Sequence, residues 1–242
     1  MTLRGARRLA DADVVIWAAS LVPEAVLEHC RPDAVRHDSA GMTLEEVTAV
    51  YAEYADAAIV RLHSGDPTVY SAIAEQIDWC VSNERAFEIV PGVTSMAAAA
   101  AAAGRELTVP GLAQSVVMSR LAHRTASSVP ERERLGRFAP MGPTLALFLS
   151  AARPEELRDE LLAVDSAYDT GTPTVLAHRV SWPDEQVITG TVGTLPDDVA
   201  RLGATTTVMI LVGEALRAAP VPARSHVYAG DYTHSFREAD AS

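Results

Sequence analysis

The sequence predicts an α/β protein of two domains, the first built on a mainly parallel sheet and the second on a mixed one. Three observations predict it. Short apolar runs feed glycine turns that lead directly into helical stretches, once across residues 59–82 and again across 88–103. Pro110-Gly111 interrupts this pattern near the middle of the chain and sets a boundary near residue 113, giving domains 1–113 and 114–242. Beyond it, the strand-like runs Pro173 to Arg179 and Gln186 to Val192 are close enough in sequence to form a hairpin, so the second sheet is partly antiparallel.

Taken in order, residues 3–10 have helical spacing, and Val14-Val15-Ile16-Trp17-Ala18 is a compact apolar run that reads as a buried strand. Ser20 to Glu24 is a loop leading into a helix that ends near His29. Thr43-Leu44-Glu45-Glu46 combines a threonine cap with acidic residues in the first turn, suited to the positive end of a helix running to Ala55. Ile59 to His63 is a strand, followed by the turn Ser64-Gly65-Asp66-Pro67 and a helix from Ser71 to Ser82. Glu88-Ile89-Val90 is expected as a further strand, turning through Pro91-Gly92-Val93-Thr94 into a helix over Met96 to Ala103, whose seven alanines favour helix and close backbone packing. In the second half, strands are expected at Ser115 to Arg120, Thr144 to Leu149 and Thr206 to Val212, with a polar arginine-rich loop from Arg120 through Arg137 and a helix after Pro154. The tail, Tyr228 to Phe236, reads as a surface or dimer contact.

Composition narrows the function. Across 242 residues, 48% are hydrophobic, ample for a buried core. No run approaches the roughly 18 to 20 apolar residues of a membrane helix, and the start has no secretory apolar core, so a cytoplasmic location without membrane contact is expected. A net charge of −12 argues against nucleic acid as a partner. Cys30 and Cys80 are expected to be free thiols, and the scattered histidines show no metal-ligand spacing, so no metal site is expected. All twenty basic residues are arginine. The absence of lysine excludes Schiff-base chemistry and a Walker-type phosphate loop, while a few arginines gathered in one place can still clamp carboxylates bidentately. No GxGxxG turn with a following acidic residue is present, which removes the dinucleotide-dependent oxidoreductase reading.

The glycine turns hold the chemistry. Gly65 and Gly92 permit close backbone approach, Asp66 and Thr94 can satisfy free amides at a helix start, and such turns line the crevice beyond the carboxyl ends of parallel strands. The order Gly65-Asp66-Pro67-Thr68-Val69-Tyr70-Ser71, then Pro91-Gly92-Val93-Thr94-Ser95, the alanine helix and Arg105-Glu106-Leu107-Thr108-Val109-Pro110-Gly111 resembles the tetrapyrrole methylases. Ser20-Leu21-Val22-Pro23, Ala40 to Glu46, Trp182-Pro183-Asp184-Glu185 and Leu211-Val212-Gly213 follow in the same order, so the resemblance spans nearly the whole chain.

The resemblance implies a two-domain fold with the active-site cleft between the domains, and methyl transfer from S-adenosylmethionine (SAM) to a tetrapyrrole. The nearest pattern implies C11 of precorrin-4 or cobalt-precorrin-4, in cobalamin synthesis, by a homodimer. It assigns cofactor contact to Ser64, Gly65, Asp66, Val69, Thr94 and Ser95, and in the second domain to Leu149 and Val180. Ser20, Met42 and Thr43 would border the macrocycle. Arg120 and Arg124 would grip its acidic side chains, and Tyr70, His63 and Asp66 are the polar groups placed to assist proton transfer. The family pattern also has a first strand and a GxGxG turn ahead of the opening helix, and this sequence opens on the helix itself. A shortened start is the simplest reading, with an expected gap in the first sheet that leaves ladder groups unpaired. The rival readings are a family member methylating another carbon, and a truncated paralogue that binds SAM or tetrapyrrole without turnover.

Overall fold

The computed structural model describes residues 1–122, 128–218, 225 and 228–239. The chain forms two compact units, Met1–Ala97 and Ala98–Ser242. The division precedes the Pro110-Gly111 signal.

In the first unit, α1 (Leu3–Ala10) leads to β1 (Val14–Trp17), a 3₁₀ turn over Glu24–His29, β2 (Val35–Asp38), α2 (Leu44–Glu53), β3 (Ile59–Arg61), α3 (Ala74–Ser82) and α4 (Ser95–Ala102), which crosses the division. The three strands are parallel in the order β2-β1-β3, with Val14 opposite Val35 on one side and Ile59 on the other. β1 is central and covered on both faces. Val15 packs with Leu9, Leu27 and Ala34, whereas Val14 and Ile16 pack with Val47, Val50 and Tyr51 of α2. An uninterrupted apolar run is what a doubly covered parallel strand requires.

α2 begins on a complete capping box, in which the Thr43 hydroxyl accepts the Glu46 amide at 3.3 Å and the Glu46 carboxylate accepts the Thr43 amide at 2.7 Å. The structure corrects the sequence expectation at α3. Tyr70 and Ala72 have φ of 52° and 48°, outside the helical region, so α3 cannot start at Ser71 and starts at Ala74. It also corrects Glu88-Ile89-Val90, which forms no strand. Strand composition is present there, but among the described residues β3 pairs only with β1, and no neighbour offers Glu88–Val90 a ladder. Glu88 is held instead by Arg8 at 2.6 Å and Arg4 at 3.6 Å.

The second unit carries β4 (Val116–Arg120), α5 (Leu135–Phe138), β5 (Thr144–Phe148), α6 (Pro154–Leu161), β6 (Pro173–His178), β7 (Gln186–Thr191), α7 (Leu195–Leu202) and β8 (Val208–Val212). Its sheet has the order β4-β5-β8-β6-β7, with β4 and β5 parallel and every other pairing antiparallel. The β6–β7 hairpin is as the sequence predicts. Leu145, Leu147, Leu176 and Ile210 meet Leu135, Leu157, Leu161 and Leu195 in a core that excludes water from all eight side chains. The arginine-rich segment is not a loop throughout. Leu135 is apolar and fully buried, so it anchors α5 where solvated loop was expected up to Arg137. Among the described residues no helix is long and apolar enough to cross a membrane, and both cysteines are free.

Candidate active site

Parallel strands bring their carboxyl ends to one edge of the first sheet, where α/β proteins bind ligands. β1 empties into the turn holding Ser20, β2 into Met42 and Thr43, and β3 into His63, Ser64, Gly65 and Asp66. Asp38, at the end of β2, ties two of these exits together by accepting the amides of Ala19 at 3.0 Å and Ala40 at 2.9 Å, and those bonds lower its pKa. Nothing in its local sequence announces that role. Thr43 reaches this edge with its hydroxyl and amide engaged in the cap of α2.

The turn after β3 is held from within. Gly65 has φ of 67°, and Asp66 accepts the Thr68 amide and hydroxyl at 2.9 and 2.5 Å and the Gly92 amide at 2.8 Å. The backbone amides of Ser64, Gly65, Thr94 and Ser95 donate to no acceptor among the described residues. Side by side, these amides suit a cofactor that offers a carboxylate and heterocyclic acceptors. The Thr94 hydroxyl accepts the Ala97 amide at 3.3 Å, so it caps α4 as well. Val69 is partly buried and donates its amide to the Asp66 carbonyl at 3.1 Å, and Tyr70 stands half-exposed on its strained backbone.

Arg61 and His63 alternate along the same face, and Arg61 lies under α2, with one guanidinium nitrogen donating to the Ile16 carbonyl at 3.2 Å. Burial, reinforced by the Arg61 charge, pushes His63 down to about 4, so its imidazole is neutral at physiological pH. The folded-state value lies below the unfolded one. Protons therefore favour the unfolded chain as pH falls from about 6.5 towards 4, and stability is full only above that window. A shift of this size is worth at most about 3 kcal/mol, and residual solvent access reduces it to about 2. In denaturant titrations at pH 7 and pH 4.5, His63→Asn is expected to lose about 2 kcal/mol less on acidification than wild type. Equal losses would remove His63 as the acid-sensitive group.

The second sheet has its own carboxyl edge. β6 and β5 both run antiparallel to β8, so β4, β5 and β6 point the same way, and the residues that follow them, including Leu149 and Val180, share that edge with Arg120. Leu149 lies just beyond β5, 76% exposed with φ of 53°, and Val180 is flanked by Arg179 and Ser181 with φ of 49° and 72°. Strain of this kind persists only where the surroundings enforce it, and it concentrates at ligand sites. Here the enforcing contacts are visible. Arg179 pairs with Asp184 at 2.6 Å and stacks 3.9 Å over the Trp182 ring, and the Ser181 amide donates to Glu185 at 2.7 Å. The Trp182-Pro183-Asp184-Glu185 segment thus shapes the turn that presents Val180.

Ser150 was not legible as a site residue, yet its buried hydroxyl accepts the Leu121 amide at 2.8 Å and donates to the Phe148 carbonyl at 2.7 Å, joining the exits of β4 and β5. Arg120 donates to the Ser128 hydroxyl at 2.5 Å. Arg124 lies outside the described residues.

Comparison with known proteins places the chain in a family. The family model described as Tetrapyrrole (Corrin/Porphyrin) Methylases matches residues 1–196. The precorrin-4 C(11)-methyltransferase of Rhodococcus erythropolis is 39% identical over 225 residues, covering 92% of this chain and 88% of that protein. The cobalt-precorrin-4 C(11)-methyltransferase of Methanocaldococcus jannaschii is 36% identical over 240 residues, covering 98% and 91%. Among solved structures, a cobalt precorrin-4 methyltransferase of cobalamin biosynthesis superposes with a TM-score of 0.84 at 39% identity over 90% of each chain. The uroporphyrin-III C-methyltransferase from Thermus thermophilus, complexed with S-adenyl homocysteine, gives 0.72 at 26% identity over 90% and 92%. With a family model matching residues 1–196 and relatives 36–39% identical over most of their length, the chain belongs to the tetrapyrrole (corrin/porphyrin) methylases.

Proposed function

We propose that this chain methylates C11 of precorrin-4 or cobalt-precorrin-4, using SAM, in cobalamin synthesis, and works as a cytoplasmic homodimer. The observation that carries the reading is the ranking of its likenesses: 39% identity and a TM-score of 0.84 to a cobalt precorrin-4 methyltransferase, against 26% and 0.72 to a uroporphyrin-III enzyme.

SAM supplies an electrophilic methyl on its sulfonium, so the protein's share is alignment of the two reactants and exclusion of water. The amides of Ser64, Gly65, Thr94 and Ser95, which meet no acceptor among the described residues, bind the cofactor's polar ends, and Val69 contacts it from the same turn. Leu149 and Val180 offer apolar surface and backbone from the second sheet. Ser20, Met42 and Thr43 border the macrocycle, and Arg120 and Arg124 hold its carboxylates, which accounts for substrate binding by a chain of charge −12. The neutral imidazole of His63 can accept a proton without first losing one, and the Tyr70 hydroxyl stands at the same turn. Asp66 is less suited to proton transfer, because both its oxygens already accept protein hydrogen bonds.

The test is to incubate the purified protein with methyl-labelled SAM and each tetrapyrrole, and to locate the label by NMR. One methyl at C11 is expected, and the preferred substrate identifies whether cobalt is already in the ring. Label at another carbon would replace the C11 assignment with a different C-methyltransferase, and SAM binding without transfer to either ring would favour the non-catalytic reading.

A further inference from the structure

Asp66 lies on the proposed cofactor surface, yet its carboxylate is directed at the protein. One oxygen accepts the amide and hydroxyl of Thr68, and the other reaches across to the Gly92 amide in the second turn. The Thr68 hydroxyl, then the amides of Thr68 and Gly92, lower the Asp66 pKa, so the group is a carboxylate over the working range. The turns also meet backbone to backbone. A Cβ on Gly92 would fall 2.0 Å from the Gly65 carbonyl oxygen, 3.0 Å from its carbon and 3.3 Å from the Asp66 Cα. Those obstacles are main chain and cannot swing aside. On the other side, a Cβ on Gly65 would meet the Ser95 amide nitrogen at 3.4 Å.

We propose that the Asp66 carboxylate, Thr68 and Gly92 form a clasp that sets the spacing between the two turns, and that these groups act as positioning residues for the cofactor surface. The clasp fixes the amides of Ser64 and Gly65 against those of Thr94 and Ser95, so that one ligand can meet both sets without reorganising the backbone. Such preorganisation favours binding by sparing the ordering cost at the moment of association. The core of the first sheet is built from other residues, around Val14, Val15 and Ile16, so opening the clasp disturbs the ligand surface more than the fold. Asparagine cannot replace Asp66, because its amide would leave one of the two bonded faces with a donor opposed to a donor. Gly92 is required because no side chain fits, although its φ is unexceptional. The inference rests on the reading of these turns as the SAM surface.

The experiment is calorimetric titration of SAM into the full chain and into Gly92→Ala, Asp66→Asn, Thr68→Val and Thr68→Ser, each with a thermal melt. Gly92→Ala and Asp66→Asn are expected to weaken SAM by about tenfold or more while still unfolding cooperatively. Thr68→Val should lose about threefold to tenfold, and Thr68→Ser, which keeps the hydroxyl, should bind as wild type does. Rescue by serine separates the clasp from a general loss of stability, and this pair decides the matter if Gly92→Ala does not fold. Wild-type affinity in Gly92→Ala and Asp66→Asn, or equal losses in the two Thr68 variants, would overturn the clasp. Failure of the wild-type chain itself to bind SAM would overturn the cofactor reading and the clasp with it, a result distinct from variants that bind normally.

Discussion

Arg85→Ala is expected to destabilise the chain by about 3 kcal/mol or more, lowering its melting temperature by roughly 6–12 °C. The Arg85 guanidinium donates to the carbonyls of Tyr51, Tyr54, Ala55 and Ala57 at 2.8–3.2 Å, at the point where α2 ends and the chain turns towards β3. The Tyr51 carbonyl belongs to the last turn of α2 and Tyr54 is its C-cap, whereas Ala55 and Ala57 lie in the connection that follows, so one cation both meets the negative end of the helix dipole and ties the helix end to the next turn. Truncation removes every one of these charge-assisted bonds and takes the donor from the part-buried Tyr51 and Ala57 carbonyls, while Tyr54 keeps the Ala57 amide. Arg85→Lys should recover only part of the loss, because an ammonium cannot span carbonyls spread across the planar fork. A melt within about 1 °C of wild type for Arg85→Ala would show that water satisfies the helix end equally well.

Arg120→Ala is expected to raise KM for the tetrapyrrole by about tenfold to a hundredfold, with SAM affinity unchanged and kcat little altered. Arg120 closes β4 at the same edge as Leu149 and Val180, and its bond to Ser128 holds the guanidinium in a defined position there. A bidentate grip on a carboxylate acts on ground state and transition state alike, which is why the effect belongs in KM. Arg120→Lys should fall between the two. Steady-state kinetics with saturating SAM would separate these outcomes, and an unchanged KM would place the macrocycle's carboxylates elsewhere.

Local rules made much of this fold legible. The run Val14-Val15-Ile16 announces a strand covered on both faces, Thr43 and Glu46 spell a capping box three residues apart, and the spacing of β6 and β7 permits little except a hairpin. The two glycine turns could be located from their wording alone. β2 was not legible, because Val35-Arg36-His37-Asp38 is an edge strand with one apolar residue, and its strand character comes from the ladder with β1. Glu88-Ile89-Val90 is the converse: it has the composition of a strand and no partner to pair with.

The sequence by itself therefore determined the α/β class, the alternation of elements and the segments that carry the chemistry, since each depends on neighbours within a few positions along the chain. Only the tertiary structure decided that Arg85 would cap α2, that Asp66 would clasp Gly92, and that Leu149 and the residues around Val180 would be held in strained backbone at one sheet edge. The physical reason is the same in each case. A bond between groups 26 to 34 residues apart, or a backbone angle enforced by packing, is specified by where the fold brings its partners together, and local spacing carries no record of it.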